Sequence, residues 1–168
     1  MNITIKKIKH YLKKILYFII TITIVTNAMS LYRSQSLGSA SLEMHSFKLI
    51  DNNTYSLDGK KPILIHFWAT WCPICKLEAA NINFLNRYYQ IITIAVKSGS
   101  DYEIKKYLDR YDYHFKVVND RDGSLSRKFK IAAYPTTFIY DPKQQLCSNE
   151  VGYTSTFGLW LRLLWADL

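Results

Sequence analysis

The run Ile63-Leu64-Ile65-His66-Phe67-Trp68, followed after a short gap by Cys72-Pro73-Ile74-Cys75, constrains this chain more than any other feature. A near-continuous apolar run of this length, without alternation, reads as a strand buried on both faces in the middle of a sheet. Proline at 73 has a fixed φ and no N–H, which suits the first position of a helix. Ile74, Leu77, Ile82, Leu85 and Tyr89 then recur at roughly helical spacing, so a helix is expected over 73–89. Both cysteines therefore fall where a central strand turns into a helix.

The remaining pattern fits around that junction. Phe47–Ile50 and Thr54–Leu57 flank Asp51-Asn52-Asn53, a hairpin signal. Ile91–Val96 reads as a second buried strand, and Asp101–Tyr111 as a helix with Ile104, Tyr107, Leu108 and Tyr111 on one side. Val117–Val118, a short helix at Ser124–Phe129, and a hairpin of Thr136–Tyr140 with Leu146–Val151 follow. Thr154–Ala166 closes the chain as an amphipathic helix with Leu159, Leu163 and Leu164 inward. The order β-α-β-α-β-α-β-β-α after an initial hairpin predicts an α/β sandwich with parallel inner strands and an antiparallel edge.

The placement of Cys72 and Cys75 has a chemical consequence. A helix N-terminus presents unpaired N–H groups and a positive partial charge, which favours thiolate over thiol. A free cysteine has a pKa of about 8.5, and C-x-x-C motifs in this setting fall to roughly 3.5–7.5. Cys72 is the expected nucleophile, and Cys75 the thiol that resolves a mixed disulfide. Zinc is the competing use of C-x-x-C, but a structural site needs four ligands. Only Cys147 and the scattered His10, His45, His66 and His114 are left to supply them, so no metal is expected. Cys147, odd in number, reads as a bystander thiol, with intermolecular pairing the other reading.

The net charge of +9 suggests nucleic acid until its distribution is considered. Lys6, Lys7, Lys9, Lys13, Lys14 and Arg33 lie in the first 35 residues with no acid, and the other 16 basic residues nearly balance 13 acidic ones. No long basic run remains to hold DNA or RNA. Ile15–Tyr32 is uncharged, and its 18 residues would span about 27 Å as a helix, close to a bilayer core of roughly 30 Å. The lysines before it predict a cytoplasmic N-terminus and an exported domain. A cleaved signal peptide ending near Ala28-Met29-Ser30 is the competing reading, and it too exports the domain. The expected organisation is a basic tail and transmembrane anchor over 1–33, a Ser-rich linker over 34–46 and a folded domain over 47–168.

Phe67-Trp68-Ala69-Thr70-Trp71-Cys72-Pro73-Ile74-Cys75-Lys76-Leu77-Glu78 resembles the active-site run of membrane-anchored thioredoxin-like proteins of the TlpA type. Val96-Lys97-Ser98-Gly99, Val117-Val118-Asn119-Asp120, Tyr134-Pro135-Thr136-Thr137 and Gly152-Tyr153-Thr154-Ser155 are similar to the suppressor-of-copper-sensitivity D branch. The resemblance implies a thioredoxin fold and makes Pro135 a cis-proline facing the C-x-x-C. Tyr134 would then pair its backbone with an extended substrate, beside Trp71 and Pro73, as in strand addition. An ordinary proline at a strand start is the alternative. Glu78 matches a functional acid of the family, one helical turn beyond Cys75, placed to take the proton Cys75 must lose. A solvated helix carboxylate is the plainer reading. The family often has a proline two residues later, where this chain has Ala80. His66 stands where thioredoxins themselves carry a buried aspartate. A hydrogen-bonded strand histidine is the favoured account of it, and a proton relay the other.

These features predict an extracytoplasmic thiol–disulfide oxidoreductase that needs no cofactor and acts on protein thiols and disulfides. Ile74 offers no charge to stabilise the reduced form, which favours a reductase over a DsbA-like oxidant. A reductase in an oxidising compartment needs a membrane electron donor, of the DsbD type in this family. A copper-binding module is the expectation from another class, since thiolates suit Cu(I). Copper carriers of this fold, however, space their cysteines as C-x-x-x-C.

Overall fold

A computed structural model describes His10, Tyr11, residues 13–18, Thr21, Leu42 and residues 44–168. The chain divides into two compact units, residues 1–35 and 36–168. The described residues of the first are helical. Among the described residues no helix is long and apolar enough to cross a membrane. Most of the span expected at 15–32, and most of the expected linker, lies outside the described residues.

In the second unit, Ser46–Lys48 (β1) and Thr54–Ser56 (β2) pair antiparallel. Their connection is held by Asp51, whose carboxylate accepts from the Asn53 backbone N–H at 3.0 Å, while Asn52 takes the positive φ of 67° that asparagine tolerates. A separate sheet follows from Ile63–Trp68 (β3), Gln90–Val96 (β4), Lys116–Asp120 (β5), Thr136–Tyr140 (β6) and Leu146–Val151 (β7), in the order β5-β4-β3-β6-β7. β3 is central and buried at every residue, as its unbroken apolar run requires. It runs parallel to β4 and antiparallel to β6, with His66 opposite both Thr93 and Thr137 and Phe67 opposite Thr136. Because β6 runs the other way, its first residues lie beside the last residues of β3. That brings the segment before Thr136 to the end of the sheet where Cys72 leaves it.

Helices cover the connections: Pro73–Leu85 (α1), Asp101–Tyr111 (α2), Ser124–Lys128 (α3) and Thr156–Ala166 (α4). α1 is four residues shorter than its apolar spacing predicts. After Leu85 the backbone N–H of Asn86 still reaches the Ile82 carbonyl, but that of Tyr88 bonds Leu85 three residues back, so the last turn tightens before β4 begins at Gln90. α2 is closed by a capping box between Ser100 and Glu103.

Alternation along the strands creates two cores. Leu64, Trp68, Ile91, Ala95 and Ile139 face α1, α2 and α4. Ile63, Ile65, Phe67, Ile92, Ile94 and Phe138 face the other way, toward Phe47 and Leu49 beside the hairpin. One helix face departs from expectation. Leu159, Leu163 and Ala166 of α4 are buried, whereas Leu164 is 39% exposed. At 100° per residue Leu164 falls in line with Trp160 and Leu161, off the buried stripe.

Candidate active site

Cys72 is the N-cap of α1, with extended backbone (φ −91°, ψ 113°), and its sulfur accepts the Cys75 N–H at 3.2 Å. A sulfur in this position takes the place of a capping hydroxyl and meets the open N–H groups of the first turn. The two cysteines form a disulfide with their Cα atoms 5.3 Å apart. Cys72 is the more accessible of the two, 7% exposed against 2% for Cys75. An incoming thiolate therefore meets Cys72 first.

The loops at this end of the sheet converge on the pair. Tyr134–Pro135 is a cis peptide, and the Tyr134 carbonyl oxygen lies 3.8 Å from the Cys72 sulfur. The other end of this segment is tied into the sheet, where the Pro135 carbonyl accepts the Gly152 N–H at 2.8 Å. Trp71 is more than half exposed, yet its ring is held on two sides. Its Nε1–H donates to the Lys97 carbonyl at 3.2 Å, and its ring meets that of Tyr134 edge-on with centroids 5.8 Å apart. Ser98 joins the same loop to the active-site strand end, accepting from the Thr70 N–H and donating to the Val96 carbonyl, each at 3.0 Å. Thus Trp71, Cys72, Pro73, Tyr134 and Pro135 come together on one rim, although more than sixty residues separate the two segments. Lys97 and Ser98 belong to that frame; in the sequence they stand out only as part of the Val96-Lys97-Ser98-Gly99 segment of the resemblance, which assigns them no role at the site.

Glu78 is not a solvated helix carboxylate. It is fully buried on the inward side of α1, one turn beyond Cys75. One carboxylate oxygen accepts the Thr154 N–H at 3.3 Å, and the other, buried, has no hydrogen-bond partner among the described residues. Burial pushes its pKa up to about 8; the Thr154 N–H opposes that rise and the nearby Glu150 carboxylate adds to it. Glu150 is itself gripped by Arg162 of α4, whose Nε donates at 2.7 Å. One helical turn beyond Cys75, then, stands a buried carboxyl that is largely protonated at neutral pH and ionises as pH approaches about 8.

His66 is buried in the centre of the sheet and shares a hydrogen bond of 2.9 Å with the Thr137 hydroxyl across the β3–β6 pair. Burial lowers its pKa to about 3, so the ring is neutral at physiological pH. That matches a hydrogen-bonded strand histidine and removes any role for it as a resident positive charge. Cys147 on β7 is free, half-buried and held above its ordinary pKa by burial. It stands apart from the Cys72–Cys75 pair in the strand order, at the edge of the sheet.

Residues 37–148 match the model of the AhpC/TSA family. The chain is 34% identical over 167 residues to a thioredoxin-like protein of Haemophilus influenzae, which covers 96% of this chain and 98% of that protein. It is 29% identical over 104 residues to the thiol–disulfide oxidoreductase ResA of Oceanobacillus iheyensis, covering 58% of this chain and 54% of that one. Among solved structures, the exposed lipoprotein thioredoxin Etrx1 of Streptococcus pneumoniae superposes with a TM-score of 0.63 at 22% identity, covering 74% of this chain and 98% of that chain. That likeness establishes the thioredoxin fold.

Proposed function

The chain belongs to the AhpC/TSA family and is a thiol–disulfide oxidoreductase, and from that premise we propose that it is an extracytoplasmic protein-disulfide reductase of the TlpA type, closest to the suppressor-of-copper-sensitivity D branch. The observation that carries the reading is the Cys72–Cys75 disulfide at the first turn of α1, with the Tyr134 carbonyl 3.8 Å from the outer sulfur. In the reduced enzyme the Cys72 thiolate, favoured by the helix N-terminus, attacks one sulfur of a substrate disulfide. That substrate bond breaks, a Cys72–substrate mixed disulfide forms, and the other substrate sulfur leaves as a thiolate. Cys75 then attacks Cys72, closing the internal disulfide and releasing the second substrate thiolate. Glu78, one turn away, takes the Cys75 proton in this second step through its ionised fraction, which grows as pH rises toward its pKa of about 8. Tyr134 and Pro135 present backbone to an extended substrate strand, and Trp71 and Pro73 form the other wall.

The residue between the two cysteines supports the reductase direction. Ile74 places no charge between the cysteines, so the dithiol lacks the extra stabilisation that makes a strong oxidant. A reductase outside the cytoplasm needs a membrane donor of the DsbD type to restore the dithiol. The uncharged run 15–32 behind five lysines holds the domain at the inner membrane, with the domain on the periplasmic side. The deciding measurement is the reduction potential of the Cys72–Cys75 couple. A value near the thioredoxin figure of about −270 mV is expected, and one above roughly −180 mV would assign the chain as an oxidant instead.

A further inference from the structure

α4 reads Thr156-Phe157-Gly158-Leu159-Trp160-Leu161-Arg162-Leu163-Leu164-Trp165-Ala166, and a helix this apolar on every side is normally covered on every side. Here only one side is covered. Leu159, Leu163 and Ala166 face the core. Phe157, Trp160, Leu161, Leu164, Trp165 and Leu168 recur at i, i+3, i+4, i+7, i+8 and i+11, and each is between 38% and 104% exposed. The helix has a single charged side chain, Arg162, and that one turns back to Glu150 and to the Gly158 carbonyl. Over the length of α4 the outward stripe is therefore contiguous, aromatic and uncharged, with the first charge at the exposed C-cap Asp167, and it goes beyond the scattered apolar residues that any surface carries.

We propose that this stripe rests in the headgroup–acyl boundary of a lipid bilayer, with α4 lying in the membrane plane. The inference rests on the anchor reading given above. Two tryptophans and a phenylalanine among leucines are the composition that settles at that boundary, where an aromatic ring is half in hydrocarbon and half in water. The tether also restricts where the domain can go. Leu42 is buried against the second core, and its N–H bonds the Gln144 carbonyl at 3.0 Å in the β6–β7 turn. Only nine residues, Arg33 to Ser41, separate it from the uncharged run, so Leu42 stays within about 30 Å of the membrane surface. α4 packs on β6 and β7, the strands that this turn joins, but on the face of the sheet opposite to the one Leu42 enters, so the linker must pass round that edge of the sheet, which a reach of about 30 Å allows. A permanently exposed stripe of this kind is a liability for a free domain, and a domain held this close to lipid has a surface that covers it. With no basic residue on the stripe, the contact is apolar and insensitive to salt.

The test reconstitutes the full chain into phosphatidylcholine vesicles whose acyl chains are brominated near the headgroup, and reads tryptophan emission. The chain has four tryptophans, of which Trp68 is buried and Trp71 lies at the disulfide, so emission should fall by roughly half as Trp160 and Trp165 are quenched. A Trp160→Phe/Trp165→Phe variant should float with the vesicles, keep its disulfide-reducing activity and lose that quenching. Emission that is equal in brominated and plain vesicles, from a chain that floats, would overturn the proposal while leaving the anchor standing. Leu161→Cys chains that oxidise to disulfide-linked dimers would overturn it in favour of a second copy as the cover. A full chain that fails to float would remove the anchor and the stripe together.

Discussion

The two cores on either side of the central sheet are built to different rules. On the hairpin side the sheet interior is Ile63, Ile65, Phe67, Ile92, Ile94, Phe138 and Tyr140, with polar groups at the rim: Thr136, and Asp120, whose carboxylate caps α3 through the Leu125 and Ser126 N–H groups. On the α1 side the same strands place Thr93, His66 and Thr137 in the middle of the sheet, and α1 adds a buried Glu78 above them. Thr93 donates to the Lys116 carbonyl and His66 bonds Thr137, so those groups are satisfied, but Glu78 keeps an unpaired buried oxygen. A buried acid without full pairing is a cost to stability. It lies one helical turn from Cys75, on the face that also carries both cysteines. Both cores are largely apolar, but only the α1 side sets a histidine and a glutamate in its interior, His66 and Glu78, both with pKa values moved far by burial.

The comparison can be broken most sharply at the cysteines. Cys72→Ser should abolish insulin disulfide reduction, while Cys75→Ser should accumulate covalent substrate adducts, because attack proceeds and resolution does not. Non-reducing gels separate the two, and adducts on Cys72→Ser alone would reverse the assigned roles. On the opposite face, Phe138→Ala should cost about 3–5 kcal/mol in urea unfolding, as the loss of a fully buried aromatic ring does. Its folded fraction should keep the Cys72–Cys75 potential of the parent chain. A shifted potential would mean that the two cores are not separable.

Glu78→Gln sharpens the contrast in two ways. It should leave formation of the mixed disulfide intact and slow its resolution by about 10²-fold, measured by stopped flow on the two steps. It should also change how stability depends on pH. The folded pKa of Glu78 lies above its unfolded value, so between pH 4.5 and about 8 the native state binds more protons and stability falls as pH rises. The glutamine variant should lose that decline; unchanged resolution across pH 6–9 would remove the proton-transfer role. The smallest effect is expected at His66, with the opposite sign. Its folded pKa of about 3 lies below 6.5, so stability is lost as pH falls from 6.5 toward 3. His66→Gln, which can still bond Thr137, should flatten that acid limb without touching activity at pH 7.

Much of this molecule is legible without coordinates wherever cause and effect are local. A short, nearly unbroken apolar run rich in isoleucine reads as a central strand, Pro73 suits the first position of the helix after it, and two cysteines three residues apart at a helix start can reach each other. Spacing alone could not decide which side of a helix faces inward when both sides are apolar. Leu164 fits the inward pattern on paper, and only the packing of Leu159, Leu163 and Ala166 against the sheet turns it out. Nor could spacing choose between a solvated and a buried Glu78, since burial there depends on α4 and the Thr154 turn arriving from the other end of the chain. The rim of the site is the clearest case. Cys72 and Tyr134 are joined by no local rule; they meet because β6 runs antiparallel to β3, so that the start of one strand lies at the end of the other. Which atoms are placed to react can be read from the chain alone, because reactivity at a helix N-terminus is a property of one turn of backbone. What those atoms face comes from the fold, because burial and strand pairing are set by residues distant along the chain.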